Sequence, residues 1–372
     1  MRDLIVFGED FGGLPSSTQH LVRHLSKTHK VLWVNSIGLR QPKLCAKDIK
    51  RALNKLFGRN NAHAQNMSNA TDAPNITVIN LRTIPAPKSQ LTRQVAKHLM
   101  LSQLKPVMKQ IGITDPILWT SLPTAVDLCG HLGESSVVYY CGDDFDALAG
   151  VDHDTVKDHE HDLIDKADLI FSASNKLMTK FPACKAQLLP HGVDLELFST
   201  PTPRALDLPT GHRPIAGFYG SLSKWLDYDL LDTVAKNLPE WDFVFIGPNE
   251  LPTLQLPSYN NVYYLGPKAH SELPRYSQHW DVSLLPFVDN EQIRACSPLK
   301  LMEYLAAQTP IISTPFPALN TYQGYVSTVN NAEEMVHTLQ KKRDLKLIPS
   351  DVVQQESWQQ RGKFVNWMLE LL

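Results

Sequence analysis

Long hydrophobic runs are missing from this 372-residue sequence. No segment offers the roughly 20 uninterrupted apolar residues of a membrane span. The apolar stretch near the start, Leu4–Phe7, is too short for the core of a secretion signal. A cytoplasmic protein is expected, at most peripheral on the inner face of a membrane. Cysteine is scarce: Cys45, Cys129, Cys141, Cys184 and Cys296 are odd in number, scattered and never spaced as CxxC. That argues against a disulfide framework or a cysteine zinc site and fits a reducing compartment. Charge of one sign is not in excess either, with 36 Lys and Arg against 38 Asp and Glu for a net charge of -2. A surface that tracks nucleic-acid phosphates shows as a basic excess, so nucleic acid is not the expected partner. There is no fixed-period repeat, no heptad and no GxGxxG dinucleotide fingerprint. Three sequons, at Asn66, Asn69 and Asn75, mean little without a secretory signal.

What is present is ordinary globular composition, 43% hydrophobic and 20% charged, in a chain long enough for about two domains. Short apolar runs alternate with helical patterns almost throughout. Leu4–Phe7, Val31–Asn35, Ile76–Leu81, Ile117–Thr120, Ser136–Cys141, Ala167–Ser174 and Ala186–Pro190 read as strands. Their apolar residues are continuous, as in parallel strands covered on both faces. Helices are expected at about Ser17–Ser26 and Gln90–Gln110, and a long loop over Gly58–Asn75. Leu197–Pro214 is rich in Pro and Thr, has no periodicity and reads as a linker. A second strand series follows at Ile215–Leu222, Asp242–Gly247, Asn261–Gly266, Asp281–Phe287 and Pro310–Thr314. Helices are expected at Asp229–Asn237 and Ser297–Gln308, and a last amphipathic helix near Ser357–Leu372. Strand–helix–strand alternation specifies open parallel sheets with right-handed crossovers. The expected domains are 1–196 and 215–355. Residues 197–214 link them, and a helix over 356–372 is expected to pack back on the first.

Ligands of such sheets bind beyond the carboxyl ends of the strands, so the candidate chemistry lies there. After the first strand come Gly12 and Gly13, in a loop that either lets the backbone approach an anion or is a plain turn capped by Ser17. After Ser136–Cys141 stand Asp143 and Asp144, either a general base for a hydroxyl or a cap with a solvated charge. His191 and Gly192 follow the last strand of the first half; His191 is read as a substrate contact or as structural. In the second half, Gly220 and Ser221 end the first strand in a turn that suits a phosphate or ribose. The most informative run is Cys296–Ala307. Ser297 is expected to cap its helix with Pro298 at the first helical position. First-turn N–H groups then face an anion, and Lys300 and Glu303 share one side of the helix. A cation for a diphosphate and a carboxylate for ribose would grip a nucleotide; an ordinary surface pair would not.

These residues resemble a known family. LPHGVDLELF is similar to the PNGVDxxxF signature of family 4 (group 1) glycosyltransferases, and SPLKLMEYLAAQTPIIST resembles their nucleotide-binding helix. YYCGDDF resembles the YDCxDDF segment of bacterial enzymes that build envelope or extracellular polysaccharides. The resemblance implies a GT-B fold, two Rossmann-like doubly wound domains facing each other across a cleft. It implies a metal-independent, hexosyltransferase-like enzyme that moves a sugar from a UDP- or GDP-linked donor to a saccharide or lipid-linked acceptor, with no further cofactor. In it Glu303 binds the donor ribose, Lys300 with the Pro298–Leu299 backbone binds the diphosphate, and Gly12–Gly13 closes on the phosphate. Asp144 or Asp143 deprotonates the acceptor. Two departures stand out. Ala295 occupies the place of the first carboxylate of the family's Glu-x7-Glu pair, and Ser221 and Leu226 stand where an Arg and a Lys follow the Gly220 turn. Lys300, with Arg294, is then the expected source of positive charge. A sugar-nucleotide epimerase and an inactive scaffold or binding subunit of the same fold are the competing readings. A basic amphipathic stretch over 43–59, carrying Lys43, Lys47, Lys50, Arg51, Lys55 and Arg59, is read either as a contact for anionic membrane or as a solvated helix face.

Overall fold

The computed structural model describes residues 2–13, 16–37, 67–70, 73–85, 87–145 and 153–372. The basic stretch over 43–59 lies outside them. Two compact units are formed, one by Met1–Pro190 with Arg361–Leu372 and the other by His191–Gln360. Residues 197–214 belong to the second unit, where Phe198, Ala205 and Leu208 are buried.

The first unit is built on strands β1 (Leu4–Phe7), β2 (Val31–Val34), β3 (Met67–Ala70), β4 (Ala73–Ile79), β5 (Ile117–Thr120), β6 (Ser136–Cys141), β7 (Leu169–Ser172) and β8 (Ala186–Leu188). Their order is β3-β4-β2-β1-β5-β6-β7-β8, and every pair is parallel except β3 with β4. β1, β2, β5, β6 and β7 are buried along their whole length. This is what their unbroken apolar sequences require, because helices cover both faces of a parallel sheet. The helices of this unit include α1 (Ser17–Leu25), α2 (Gln90–Ile111) and α3 (His153–Lys166). The expected long loop is corrected over its last part. β4 already begins at Ala73, and Met67–Ala70 pairs with it as an antiparallel edge, Met67–Asn69 opposite Thr77–Ile79 and Ala70 opposite Ala73, with too little apolar residue content to show a strand pattern. The cap of α1 is also corrected: Ser16, not Ser17, accepts a hydrogen bond from the Gln19 N–H.

The second unit repeats the plan with β9 (Ile215–Tyr219), β10 (Asp242–Ile246), β11 (Val262–Tyr264), β12 (Val282–Leu285), β13 (Ile311–Ser313) and β14 (Val326–Thr328). The order is β11-β10-β9-β12-β13-β14, all parallel. Its helices include α4 (Leu195–Ser199), α5 (Tyr228–Asn237), α6 (Glu291–Ala295), α7 (Leu299–Ala306) and α8 (Ala332–Gln340); α9 (Trp358–Glu370) ends the chain. In α5, Leu230, Leu231, Val234 and Ala235 are buried, the spacing of one helical face, and Asp227 caps it by accepting from the Leu230 N–H at 2.9 Å. The core of this unit holds Phe198, Phe218, Phe243, Phe245 and Tyr304, all fully buried. Each such side chain contributes roughly 1.5–3 kcal/mol when taken out of water.

In each unit the strand order reverses beside the first strand: β1 lies between β2 and β5, and β9 between β10 and β12. A crevice opens at such a point, outside the carboxyl ends of the strands. Gly8–Gly13 follows β1, and Gly220–Ser221 follows β9.

Candidate active site

In the second unit the site is assembled on α7. Tyr304 anchors that helix to β9: its hydroxyl accepts a hydrogen bond from the Tyr219 N–H at 3.0 Å, and the two rings meet edge to face at 4.8 Å. Trp280 packs beside them, 5.9 Å from Tyr219 and 6.0 Å from Tyr304. This packing is possible because residue 217 is glycine. A Cβ there would stand 1.8 Å from the Trp280 ring. With Tyr304 facing the sheet, Lys300 one turn earlier points along the end of β9, and Glu303 faces the segment after β11.

Lys300 lies over the Gly220 turn. A Cβ on Gly220 would meet its Cε at 2.7 Å and its Nζ at 2.8 Å, and Gly220 has φ +138°, a conformation that disfavours any side chain. The ammonium sits 5.2 Å from the Phe218 ring and 5.5 Å from the Phe287 ring. Among the described residues it has no carboxylate within ion-pair distance. Burial lowers its pKa, and Cys296, Glu303 and Glu250 only partly offset that. An incompletely solvated cation of this kind is stabilised by an incoming anion.

The start of α7 departs from expectation. Pro298, not Ser297, is the N-cap, with an extended backbone at ψ 126°, and Leu299 is the first helical residue. Cys296, which ends α6, and Pro298 are both extended, and the residue before a proline is biased away from the helical region, so the helix begins only at Leu299. No side chain caps α7. Its first-turn N–H groups therefore add to the positive end of the helix dipole beside Lys300. Ser297 lies in the link before the helix and is half-buried, and Ser221 is half-buried in the Gly220 turn. Arg294 does not join them: it is exposed and forms a two-pronged pair with Asp289 at 2.7 Å. Ala295 is buried in α6, and Leu226 is buried after the Gly220 turn.

Glu303 is buried and its Oε1 is 2.7 Å from the Nε2 of His270, on the short turn His270–Glu272. No surface pair with Lys300 forms. Burial alone would lower the His270 pKa; the hydrogen bond and charge of Glu303, with the charge of Asp194, outweigh it and raise the pKa. Nothing in the sequence around His270 marks it, since its partner is far away in the chain. Asp194 and Phe198 explain the HGVDLELF run. Asp194 caps α4 by accepting from the Leu197 N–H at 3.0 Å, and the buried Phe198 ring stands edge-on to His270 at 5.4 Å. His191 is half-buried at the start of this run.

In the first unit the two aspartates separate in role. Asp144 forms an ion pair with Lys180 at 3.0 Å; Lys180 also holds Glu160 at 3.1 Å, and Glu160 accepts from the Tyr139 hydroxyl at 2.6 Å. Asp143 reaches solvent, but the surrounding protein and the neighbouring Asp144 charge raise its pKa. Glu9, after β1, is also raised, by burial first and in smaller part by the Asp143 charge, and its Oε1 is buried without a hydrogen bond. Gly12 and Gly13 are less open than expected. The Gly12 N–H donates to Gln19 Oε1 at 3.0 Å and the Gly13 N–H to the Asp10 carbonyl at 3.1 Å. Among the described residues no group of three or more His, Cys, Asp or Glu is placed to hold a metal ion.

Residues 213–341 match the family model described as "Glycosyl transferases group 1". The match lies in the unit that carries Lys300 and Glu303. The chain is 27% identical over 226 residues to the teichuronic acid biosynthesis glycosyltransferase TuaH of Bacillus subtilis (strain 168). That alignment spans 55% of this chain and only 57% of TuaH. A sucrose-phosphate synthase from Thermosynechococcus elongatus has the same fold, with a TM-score of 0.72 and 14% identity over 100% of this chain and 99% of that one. So does HepE of Anabaena, in complex with UDP and glucose, with a TM-score of 0.69 and 13% identity over the whole of both chains.

Proposed function

We propose that this protein transfers a sugar from a nucleotide-diphosphate sugar to a saccharide or lipid-linked acceptor in envelope or extracellular polysaccharide synthesis. The observation that carries the reading is Lys300: a cation without a carboxylate partner among the described residues, held over the Gly220 turn beside an uncapped helix start. Its neighbour on the next turn is a buried carboxylate. The diphosphate lies against Lys300 and the first-turn N–H groups of α7, and the ribose hydroxyls donate to Glu303. In transfer, the bond from the anomeric carbon to the diphosphate breaks as the acceptor oxygen bonds to that carbon. The charge that grows on the departing diphosphate is offset by Lys300 and the helix terminus. Asp143 takes the proton of the acceptor hydroxyl, a task for which a carboxylate with a raised pKa is suited. Asp144, paired with Lys180, holds the segment. HepE is described in complex with UDP and glucose, which favours a UDP-linked donor for this chain.

Titration calorimetry with UDP and GDP tests the donor site. Lys300→Ala and Glu303→Ala each remove a charge-assisted hydrogen bond and should cost on the order of 1.5–3 kcal/mol of binding, with unchanged circular dichroism. Wild-type affinity in both variants would overturn the assignment. Turnover over a panel of nucleotide sugars, with and without acceptor, separates transfer from epimerisation, and no nucleotide binding at all would favour an inactive scaffold.

A further inference from the structure

His270 stands between the two sequence runs that resemble the family's signatures. Its Nε2 lies 2.7 Å from Glu303 Oε1 on α7, and its ring meets the Phe198 ring, on α4, edge-on at 5.4 Å. Asp194, which caps α4, adds its charge from the same side. The Phe198 carbonyl is itself fixed, accepting from Gln278 Nε2 at 2.8 Å. The imidazole therefore has a rigid backing, and α7 is fixed independently through Tyr304 and β9. A glutamate side chain has three rotatable bonds, and loses hydrogen-bond strength if it must be ordered when its ligand arrives. Glu303 does not face that cost, because one of its oxygens is already held.

We infer that His270 is a positioning residue of the nucleotide site: it holds Glu303 Oε1, fixing the carboxylate so that Oε2 is presented to the ribose hydroxyls. This rests on the proposed role of Glu303. His270 does not touch the nucleotide and acts through the carboxylate. The contribution is preorganisation, a bound geometry set before the ligand arrives. It is confined to the ribose end, because Lys300 has its own support from the Phe218 and Phe287 rings.

The test compares binding of UDP with binding of its dideoxyribose form, which lacks the hydroxyls but keeps the base and diphosphate. The full chain is used, with wild type, His270→Ala, His270→Gln and Glu303→Ala, and GDP and its dideoxy form replace the uridine pair if GDP is the better ligand. Wild type should prefer the ribose form by about tenfold or more, the value of one hydrogen bond to a charged group. Glu303→Ala should bring that ratio close to one. His270→Ala should reduce the ratio severalfold while leaving the dideoxy affinity near wild type. His270→Gln, whose amide can still donate to Oε1, should restore part of it.

Two failures are distinguishable. If Glu303→Ala keeps the full preference, Glu303 is not the ribose acceptor, and the inference falls with it. If Glu303→Ala abolishes the preference but His270→Ala leaves it intact, or weakens both ligands equally, His270 is only structural and the inference alone is overturned. If His270→Ala does not fold, His270→Gln decides. Partial loss of the preference with normal dideoxy binding supports the inference, and an unchanged preference or equal weakening of both ligands ends it.

Discussion

At the scale of single residues, the carboxylates of the first unit show how partners assign roles that residue type alone leaves open. Asp143 and Asp144 are adjacent and chemically identical, yet Asp144 ends in a chain of paired groups, Lys180, Glu160 and Tyr139, while the Asp143 pKa is raised by its surroundings. Removing Asp144 leaves Lys180 short of one counter-charge in a partly buried place. Asp144→Ala should therefore destabilise the protein by about 1–3 kcal/mol. Asp143→Asn should stay within about 0.5 kcal/mol of wild type in the same denaturant titration. Turnover should show the reverse order: loss of a general base lowers kcat about a hundredfold or more. A destabilised but fully active Asp144→Ala beside a stable, inactive Asp143→Asn is the expected pair. Near wild-type kcat in Asp143→Asn would remove it as the base.

At the scale of elements, a three-part ion network ties α2, the turn Pro123–Leu128 and α3 together. Arg93 on α2 donates to Asp127 at 2.7 and 3.0 Å and to Asp162 of α3 at 2.7 Å. Burial would raise the Asp127 pKa, but His159 and the Arg93 guanidinium outweigh it and bring it down to about 2. A carboxyl whose folded pKa is depressed stabilises the fold above its unfolded pKa, and that share is lost as pH falls through the folded value. Asp127 is thus expected to contribute on the order of 2 kcal/mol above about pH 4, fading towards pH 2. Asp127→Asn should be less stable at neutral pH and show a shallower loss of stability over that window, measured by chemical denaturation at several pH values. An unchanged acid slope would refute the assignment. Elements also mark what the sequence could and could not reveal. β1, β5 and β6 are legible to the residue because burial on both faces leaves an unbroken apolar run between turn signals. β3 and β14 are not, because Met67–Ala70 and Val326–Thr328 are short edge segments with mixed polarity. Lys300 and Glu303 are legible as a pair by their helical spacing. His270 is not, since a contact made across 33 positions of chain leaves no local pattern. The helix start is displaced by one residue from the expected one because Ser-Pro satisfies a local capping preference, while a proline biases the residue before it away from the helical region and Pro298 is itself extended.

At the scale of the whole molecule, the same plan is used twice, a parallel sheet with a glycine turn after its first strand, but the two turns are not equally prepared for an anion. After β9 the turn faces Lys300 and an uncapped helix. The glycine N–H groups are spent in both turns, Gly220 on the Ile246 carbonyl, Gly12 on Gln19 and Gly13 on Asp10, so the difference lies in Lys300 and the start of α7. A phosphate at Gly12–Gly13 would have to displace two formed hydrogen bonds, and each exchange returns little net free energy. Hydrogen exchange over the whole chain should therefore respond unevenly to saturating UDP. Amides at the start of α7, Leu299 and Lys300, should gain protection, and those of Gly12, Gly13 and Gly220, already bonded, should change little. The overall gain in stability follows mass action, about 2.7 kcal/mol at a ligand concentration 100 times Kd, and Lys300→Ala should reduce it at the same concentration. Strong new protection at Gly12 and Gly13 would mean that this loop rearranges to bind the phosphate, giving it the role the family resemblance implies. Protection confined to the first unit would place the nucleotide away from Lys300 and overturn the donor site itself.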